Sequence, residues 1–181
     1  MNRIVLLRPP GSRGKEIALS LAEYLSENGN FTCISVGDLV DKEISKRSAF
    51  GKEIEQSRQT YSFVKDEIVI ELVKGQIQAM EKEQRSYIIE GFPRTEVQAI
   101  ALQKMGILPD NFILLQQSDQ FSCERIIENL SGEDSVVKLK EYERVEELAI
   151  NAVVENNIHM EGVKQVCKGF ITELDGTKSV Q

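Results

Sequence analysis

The apolar residues of this chain fall in short runs of four or five, separated by longer stretches in which they recur every three or four positions. Ile4, Val5, Leu6 and Leu7 form the first run. A loop Arg8-Pro9-Pro10-Gly11-Ser12-Arg13-Gly14-Lys15 follows, and then a helical pattern from Glu16 that carries Ile17, Leu19, Leu21, Tyr24 and Leu25. Asn28-Gly29-Asn30 is its stop signal, because glycine and asparagine accept the left-handed backbone that ends helices. Residues 31–35 read as a second buried strand. Strand, helix and strand with no hairpin turn between them predict a right-handed crossover and a parallel sheet. Charged helical sequence runs over 38–59, punctuated by Gly51. Another helix opens at Lys65-Asp66-Glu67, with carboxylates in its first turn and Ile68, Ile70, Leu72, Val73 and Ile77 inside, and ends near Arg85. Residues 87–90 are the third strand, followed by Gly91-Phe92-Pro93-Arg94 and a helix through Gln98, Ala99 and Leu102. Pro109-Asp110 turns into a fourth strand over 112–115.

The C-terminal third is patterned less sharply. It reads as a helix over 121–130, a turn over 131–134, a long helix over 136–155, a short fifth strand over 157–160, a final helix over 163–174 and a polar tail from Asp175. No internal repeat or linker divides the 181 residues. The alternation predicts one doubly wound α/β domain, a five-stranded parallel sheet flanked by helices, with its ligand at the carboxyl ends of the strands.

Composition narrows the partners. A formal net charge of -7 argues against nucleic acid or an anionic membrane as the main partner. Four aliphatic residues after Met1-Asn2-Arg3 are too few for a signal peptide, and no stretch approaches the length of a membrane span, so a cytoplasmic protein is the expectation. Cys33, Cys123 and Cys167 are widely spaced and read as free thiols of a reducing compartment. The single His159 has no second metal ligand at useful spacing and reads as a structural residue near a strand end.

The chemistry concentrates in the loop over 8–15. A strand leading through a Gly/Ser loop into a helix N-terminus is the geometry that cradles phosphate, since the first helical amides lack partners and the dipole is positive there. In the P-loop pattern G-x-x-x-x-G-K-[ST] the lysine reaches the β- and γ-phosphates and the hydroxyl holds Mg²⁺. Here the alignment puts Pro9 at the first glycine, where it removes an N–H donor, Arg13 at the second, Gly14 in the lysine slot and Glu16 near the hydroxyl. Arg8, Arg13 and Lys15 still offer cations to an anion docking at Gly11, Ser12 and Gly14, or the loop simply joins a strand to a helix.

Several stretches in register resemble the adenylate kinase family of nucleoside monophosphate kinases. They are Arg8-Pro9-Pro10-Gly11-Ser12, Ile34-Ser35-Val36-Gly37-Asp38-Leu39, Phe50-Gly51-Lys52-Glu53-Ile54, Val64-Lys65-Asp66-Glu67-Ile68-Val69, Gly91-Phe92-Pro93-Arg94 with Gln98, and Cys123-Glu124-Arg125-Ile126. The resemblance implies a P-loop-type core sheet, a small helical insertion over about 38–63 that closes over AMP, and a lid over ATP. The lid is here cut to a remnant over about 126–137, and its stretch Leu130 to Val137 contains no arginine. It also implies that Arg94 grips the AMP phosphate, that Gln98 reads the adenine edge, that Gly37, Val64 and Gly91 line that pocket, and that Arg125 stacks on the ATP base.

The departures from the family pattern are as informative. Val36 stands where threonine is usual, Asp41 where a second phosphate-binding arginine is usual, and Asn129 where another arginine is usual, while Lys138 stands for an arginine at the start of the post-lid helix. Glu90 stands where aspartate is usual, and either helps place Mg²⁺ through water or ends its strand. Three readings follow. The chain is a catalytically impaired module, a pseudoenzyme in a larger assembly of the sort found among ciliary adenylate-kinase-like proteins. Alternatively it is a weak kinase converting ATP and AMP to ADP, with Arg13, Lys15 and Arg94 as its catalytic cations and Mg²⁺ needed only with ATP. Or it is an AMP-binding sensor.

Overall fold

The computed structural model describes residues 1–27, 30–59, 63–131 and 139–178. Its elements are β1 (Arg3–Leu7), α1 (Gly14–Ser26), β2 (Phe31–Ser35), α2 (Val36–Ser45), α3 (Ala49–Gln59), α4 (Asp66–Lys82), β3 (Ser86–Glu90), α5 (Glu96–Lys104), β4 (Asn111–Gln116), α6 (Asp119–Ser131), α7 (Leu139–Val166) and β5 (Ile171–Asp175). The five strands make one parallel sheet in the order β2-β3-β1-β4-β5. β1 sits at the centre, with Leu6 opposite Glu90 on β3 and Ile113 on β4. β1 and β3 are near-continuous apolar runs because the inner strands of a parallel sheet between helical layers are buried on both faces. Val5, Ile89 and Tyr87 face the larger core with Val73, Ile77, Leu102 and Val163, whereas Ile4, Leu6 and Ile88 face α1 at Ala18 and Ala22.

The expected α/β architecture and parallel sheet are present, but the C-terminal third differs from the sequence expectation. Residues 157–160, read as a strand, lie inside the 28-residue α7. Ala149, Val153, Asn156, Met160, Val163 and Cys167 are all buried at spacings of three and four, so one helical face runs unbroken through the segment. His159 therefore sits on a helix, not at a strand end. Residues 171–175, read as part of a final helix, form the fifth strand, and the polar tail begins only after it. β5 is an edge strand exposed along most of its length, so it lacks the apolar run of a buried strand. The single helical stretch over 38–59 is two helices, α2 and α3, and the first begins two residues earlier, at Val36. Asn28 and Gly29 of the expected stop signal, and residues 132–134 of the expected turn, lie outside the described residues. So does the lid remnant beyond Ser131, the part over 126–131 being helical in α6. Among the described residues, no helix is long and apolar enough to cross a membrane.

One polar tie fastens a helix to two strands. Arg3 on β1 donates through Nε and Nη2 to the two oxygens of Glu81 on α4, both at 2.8 Å, and the Tyr87 hydroxyl on β3 donates to Oε1 at 2.7 Å. The Arg3 hydrogen bonds hold the Glu81 carboxyl below its ordinary value, assisted by Tyr87 and opposed by burial. A carboxyl lowered in the folded state stabilises the fold above its unfolded pKa, and that contribution disappears as the pH falls through the folded value. Glu81→Gln is expected to cost about 1–3 kcal/mol at neutral pH. Urea unfolding of the variant across pH 7 to 3 should show a shallower acid loss than the parent.

Candidate functional site

Loops leaving β1, β2 and β3 at their carboxyl ends meet above the centre of the sheet, where the strand order reverses. Glu90, the last residue of β3, is 1% exposed, and a carboxylate so buried needs matched partners. It has two. Arg8, the residue after β1, pairs with Oε1 through Nε, and the Ser35 hydroxyl at the end of β2 donates to Oε2 at 3.1 Å.

This pairing reshapes the loop over 8–15. The first glycine of the P-loop pattern lies five residues before the second, so with Arg13 in the second slot it is Arg8, and not Pro9 as expected, that occupies the first. Its side chain lies across Gly14, where an added Cβ would stand 2.0 Å from Arg8 Cδ. Gly11, at φ +72°, packs so closely on α6 that a Cβ there would meet the Ser122 carbonyl oxygen at 2.7 Å. The neighbouring cations are also engaged. Arg13 donates twice to Glu16, at 2.9 and 3.0 Å, Lys15 pairs with Asp38, and Arg125 pairs with Glu128 at 2.8 Å. The Asp38 hydrogen bond raises the Lys15 ammonium above its ordinary value, so Lys15 remains charged but partnered.

The donor set does not fit Mg²⁺ with a nucleoside triphosphate. A glycine occupies the lysine slot and a carboxylate the region of the hydroxyl, and the Arg8 side chain crosses the loop. Among the described residues, no three His, Cys, Asp or Glu side chains gather as a metal site requires.

Beside the loop lies a cavity of about 290 Å³, close to the lower end of the range for sites that hold one small molecule. Its lining brings together Gly37, Val64, Gly91, Arg94 and Gln98, all singled out in the sequence. Arg13, Lys15, Gly11, Ser12, Gly14 and Arg125 are not part of it, and neither is Asp41, which lies exposed on α2. Val36, Phe63, Ala152 and Glu155 complete much of the remaining wall. The Ser35 hydroxyl is diverted to Glu90 and makes no cap for α2, so the first amides of that helix, at Val36 and Gly37, stand uncapped beside the cavity.

Gln98 is 2% exposed and its amide is in use. Oε1 accepts from the Arg94 amide at 2.8 Å and Nε2 donates to Asp66 at 2.7 Å, while Thr95 caps α5 by accepting from the Gln98 amide at 3.2 Å. This network fixes the turn that carries Arg94. The Arg94 guanidinium lies over the Phe63 ring, 4.6 Å from its centroid, and that ring also meets His159 on α7, with ring centroids 5.1 Å apart. Among the described residues Arg94 has no ion-pair partner. Desolvation brings its pKa down to about 10, which still leaves it cationic at neutral pH.

Phe63 and Glu155 were not foreseen from the sequence. Phe63 adjoins the recognised Val64, which is a faint signal, whereas Glu155 reaches the site only through the packing of α7. Cys33, Cys123 and Cys167 are free thiols, as expected, and burial pushes Cys33 up to about 11.

Comparison with known proteins places these features in a family. The adenylate kinase family model matches residues 6–164. The chain is 32% identical over 119 residues to a chloroplastic adenylate kinase of Zea mays, covering 66% of this chain and 51% of that protein. It is 34% identical over 133 residues to the adenylate kinase of Baumannia cicadellinicola subsp. Homalodisca coagulata, covering 74% and 60%. It is 34% identical over 134 residues to that of Caldicellulosiruptor bescii, covering 72% and 58%. The chain therefore spans about half the length of the curated relatives it matches.

The Arg8–Glu90 pair makes a stability prediction. Arg8→Met leaves the buried Glu90 carboxylate with one neutral donor and is expected to cost about 3 kcal/mol. Adding Glu90→Gln removes the orphaned charge and should recover most of that loss in equilibrium unfolding, as coupled neighbours do.

Proposed function

The chain belongs to the adenylate kinase family, and we propose that within it this protein is a catalytically impaired member that binds a nucleoside monophosphate at the Arg94 cavity. The observation that carries this reading is the distribution of charge. Arg8, Arg13, Lys15 and Arg125 each have a carboxylate partner, and among the described residues Arg94 alone of these five has no ion-pair partner, in a cavity of ligand size. A guanidinium suits the oxygens of a phosphate, and desolvation strengthens the contact. Phosphoryl transfer needs more, because several positioned cations must neutralise charge spreading over the transferred group. The loop lacks both the lysine and the hydroxyl that would supply this on the triphosphate side.

On this reading the protein acts as a non-catalytic module, either reporting AMP or serving as a part of a larger assembly. The relatives named above carry no ciliary description, so no cellular location is assigned.

A second reading is residual kinase activity with Arg13 and Lys15 standing in for the missing lysine. Its support is that both ion pairs are half exposed, and exposed pairs are worth little and open readily. Any measured turnover that survives Arg13→Ala/Lys15→Ala removes it.

AMP at about 100 times its dissociation constant should add roughly 2.7 kcal/mol to stability, a rise of about 5–10 °C for a domain of this size. Arg94→Ala is expected to abolish the shift. Turnover of ATP plus AMP at rates ordinary for kinases, about 1–100 per second, would overturn the impaired reading.

A further inference from the structure

The outer face of α7 departs from the pattern of the other helices. Val153, Met160 and Val163 lie on the side that packs on the core, yet Ile150, Val154 and Ile158 stand 47%, 51% and 68% exposed on the opposite side. Spaced by four, these three line up over two helical turns, about 12 Å end to end. A single exposed apolar residue is ordinary, whereas several in line make a patch. Among the described residues, no other helix exposes three large apolar side chains. A β-branched residue on a solvent face loses rotamer freedom in the helix and gains no packing in return, so the stripe has a cost in the isolated chain. Charge is distributed unevenly on either side of it. Among the described residues, Glu143, Glu146 and Glu147 outnumber Arg144 toward the N-terminal end of α7, and Lys164 with Lys168, just past the helix, outnumber Glu161 toward the other end. Those three N-terminal carboxylates have no ion-pair partner among the described residues, and Lys164 meets Glu161 and Glu173 only at 3.8 and 4.0 Å.

We propose that the outer face of α7 is a docking surface for a second copy of this chain, the two helices packing antiparallel across a two-fold axis at Val154. The proposal is independent of what the Arg94 cavity binds. A two-fold contact requires a surface that complements itself, and this one does. Reversing the helix about Val154 sets Ile150 against Ile158 of the other copy and Val154 against its own counterpart. The same reversal brings the acidic end of one helix beside Lys164 and Lys168 of the other. Glu146 and Lys164 are five helical turns apart, so they flank the same side of the stripe and are the charges best placed to pair across the axis. A parallel arrangement would set acidic end against acidic end, which like-charge repulsion disfavours. One helix face about 10 Å wide offers less than the roughly 800 Å² per partner of a standard interface, so the dimer is weak and forms only at raised concentration.

The test is sedimentation equilibrium of the whole chain at about 0.15 M salt, over protein concentrations of about 1–500 μM. A monomer–dimer equilibrium with a dissociation constant of about 10–100 μM is expected. Val154→Glu sets two carboxylates face to face on the axis and should weaken dimerisation at least about tenfold. Its circular dichroism should match the parent, because the position is exposed and glutamate is a good helix former. Lys164→Glu should weaken the dimer about threefold or more, and Glu146→Lys/Lys164→Glu, which exchanges the two charges, should return it toward the parent. On mild oxidation Val154→Cys should form a disulfide-linked dimer faster than Tyr24→Cys, a still more exposed position on α1, with the parent as the control for its own thiols. A chain that stays monomeric throughout overturns the proposal and leaves the stripe to a different protein. Dimers that form equally well with Val154→Glu overturn it by placing the contact elsewhere. A charge exchange that restores nothing, or equal cross-linking of the two cysteine variants, overturns the antiparallel two-fold at Val154.

Discussion

A buried carboxylate at the end of the third strand governs the arrangement around it. Glu90 lies in register with Leu6 of β1 and Ser35 of β2, at the point where three parallel strands open into loops. Burying it stably requires donors, and the nearest available are Arg8 and Ser35, the residues with which the neighbouring strands end or give way. Each donor has a cost elsewhere. Arg8 lies across Gly14, so that stretch of the loop is filled by a side chain of the protein itself. Ser35 no longer caps α2, so the first amides of that helix stand beside the cavity. One interaction therefore commits a cation on the triphosphate side and leaves donors available on the monophosphate side.

The legibility of this arrangement in the sequence followed burial. β1 and β3 were readable because central parallel strands must be apolar on both faces, and the helices between the strands because their buried positions recur at three and four. β5 escaped because an edge strand exposed on most positions has no such run. The run Ile158-His159-Met160 resembled a strand, and the polar Asn156 at a core position of α7 interrupted the apolar pattern that would have shown the helix continuing. Gly37, Val64, Gly91, Arg94 and Gln98 were readable for a different reason, through the motifs that resemble the adenylate kinase family. The pairings were not. Arg8 and Glu90 are 82 positions apart and Lys15 and Asp38 are 23 apart, and only the folded sheet brings them together. The Arg13–Glu16 pair, at a spacing of three, was there to be read.

Binding and turnover separate naturally in such a site because they draw differently on charge. A single desolvated guanidinium, held by the Gln98 network and backed by the Phe63 ring, can retain a phosphate, with a cation–π contribution of about 1–2 kcal/mol offsetting part of its lost hydration. Transfer of a phosphoryl group asks for cations that act as a set, and losses within such a set are not additive, since each remaining group is left without the geometry it served. Here the set is broken at several positions together: the lysine slot is Gly14, the hydroxyl region holds Glu16, and the cations that remain nearby face carboxylates. Restoring one of them would not restore the set. The Arg94 cavity depends less on that loop, because apart from Arg8 its walls come from α2, α4, the turn after β3 with Gln98, the Phe63–Val64 segment and α7. If the proposed reading holds, the chemistry of one half of the site is lost while the physics that would hold a phosphate in the other half is left in place.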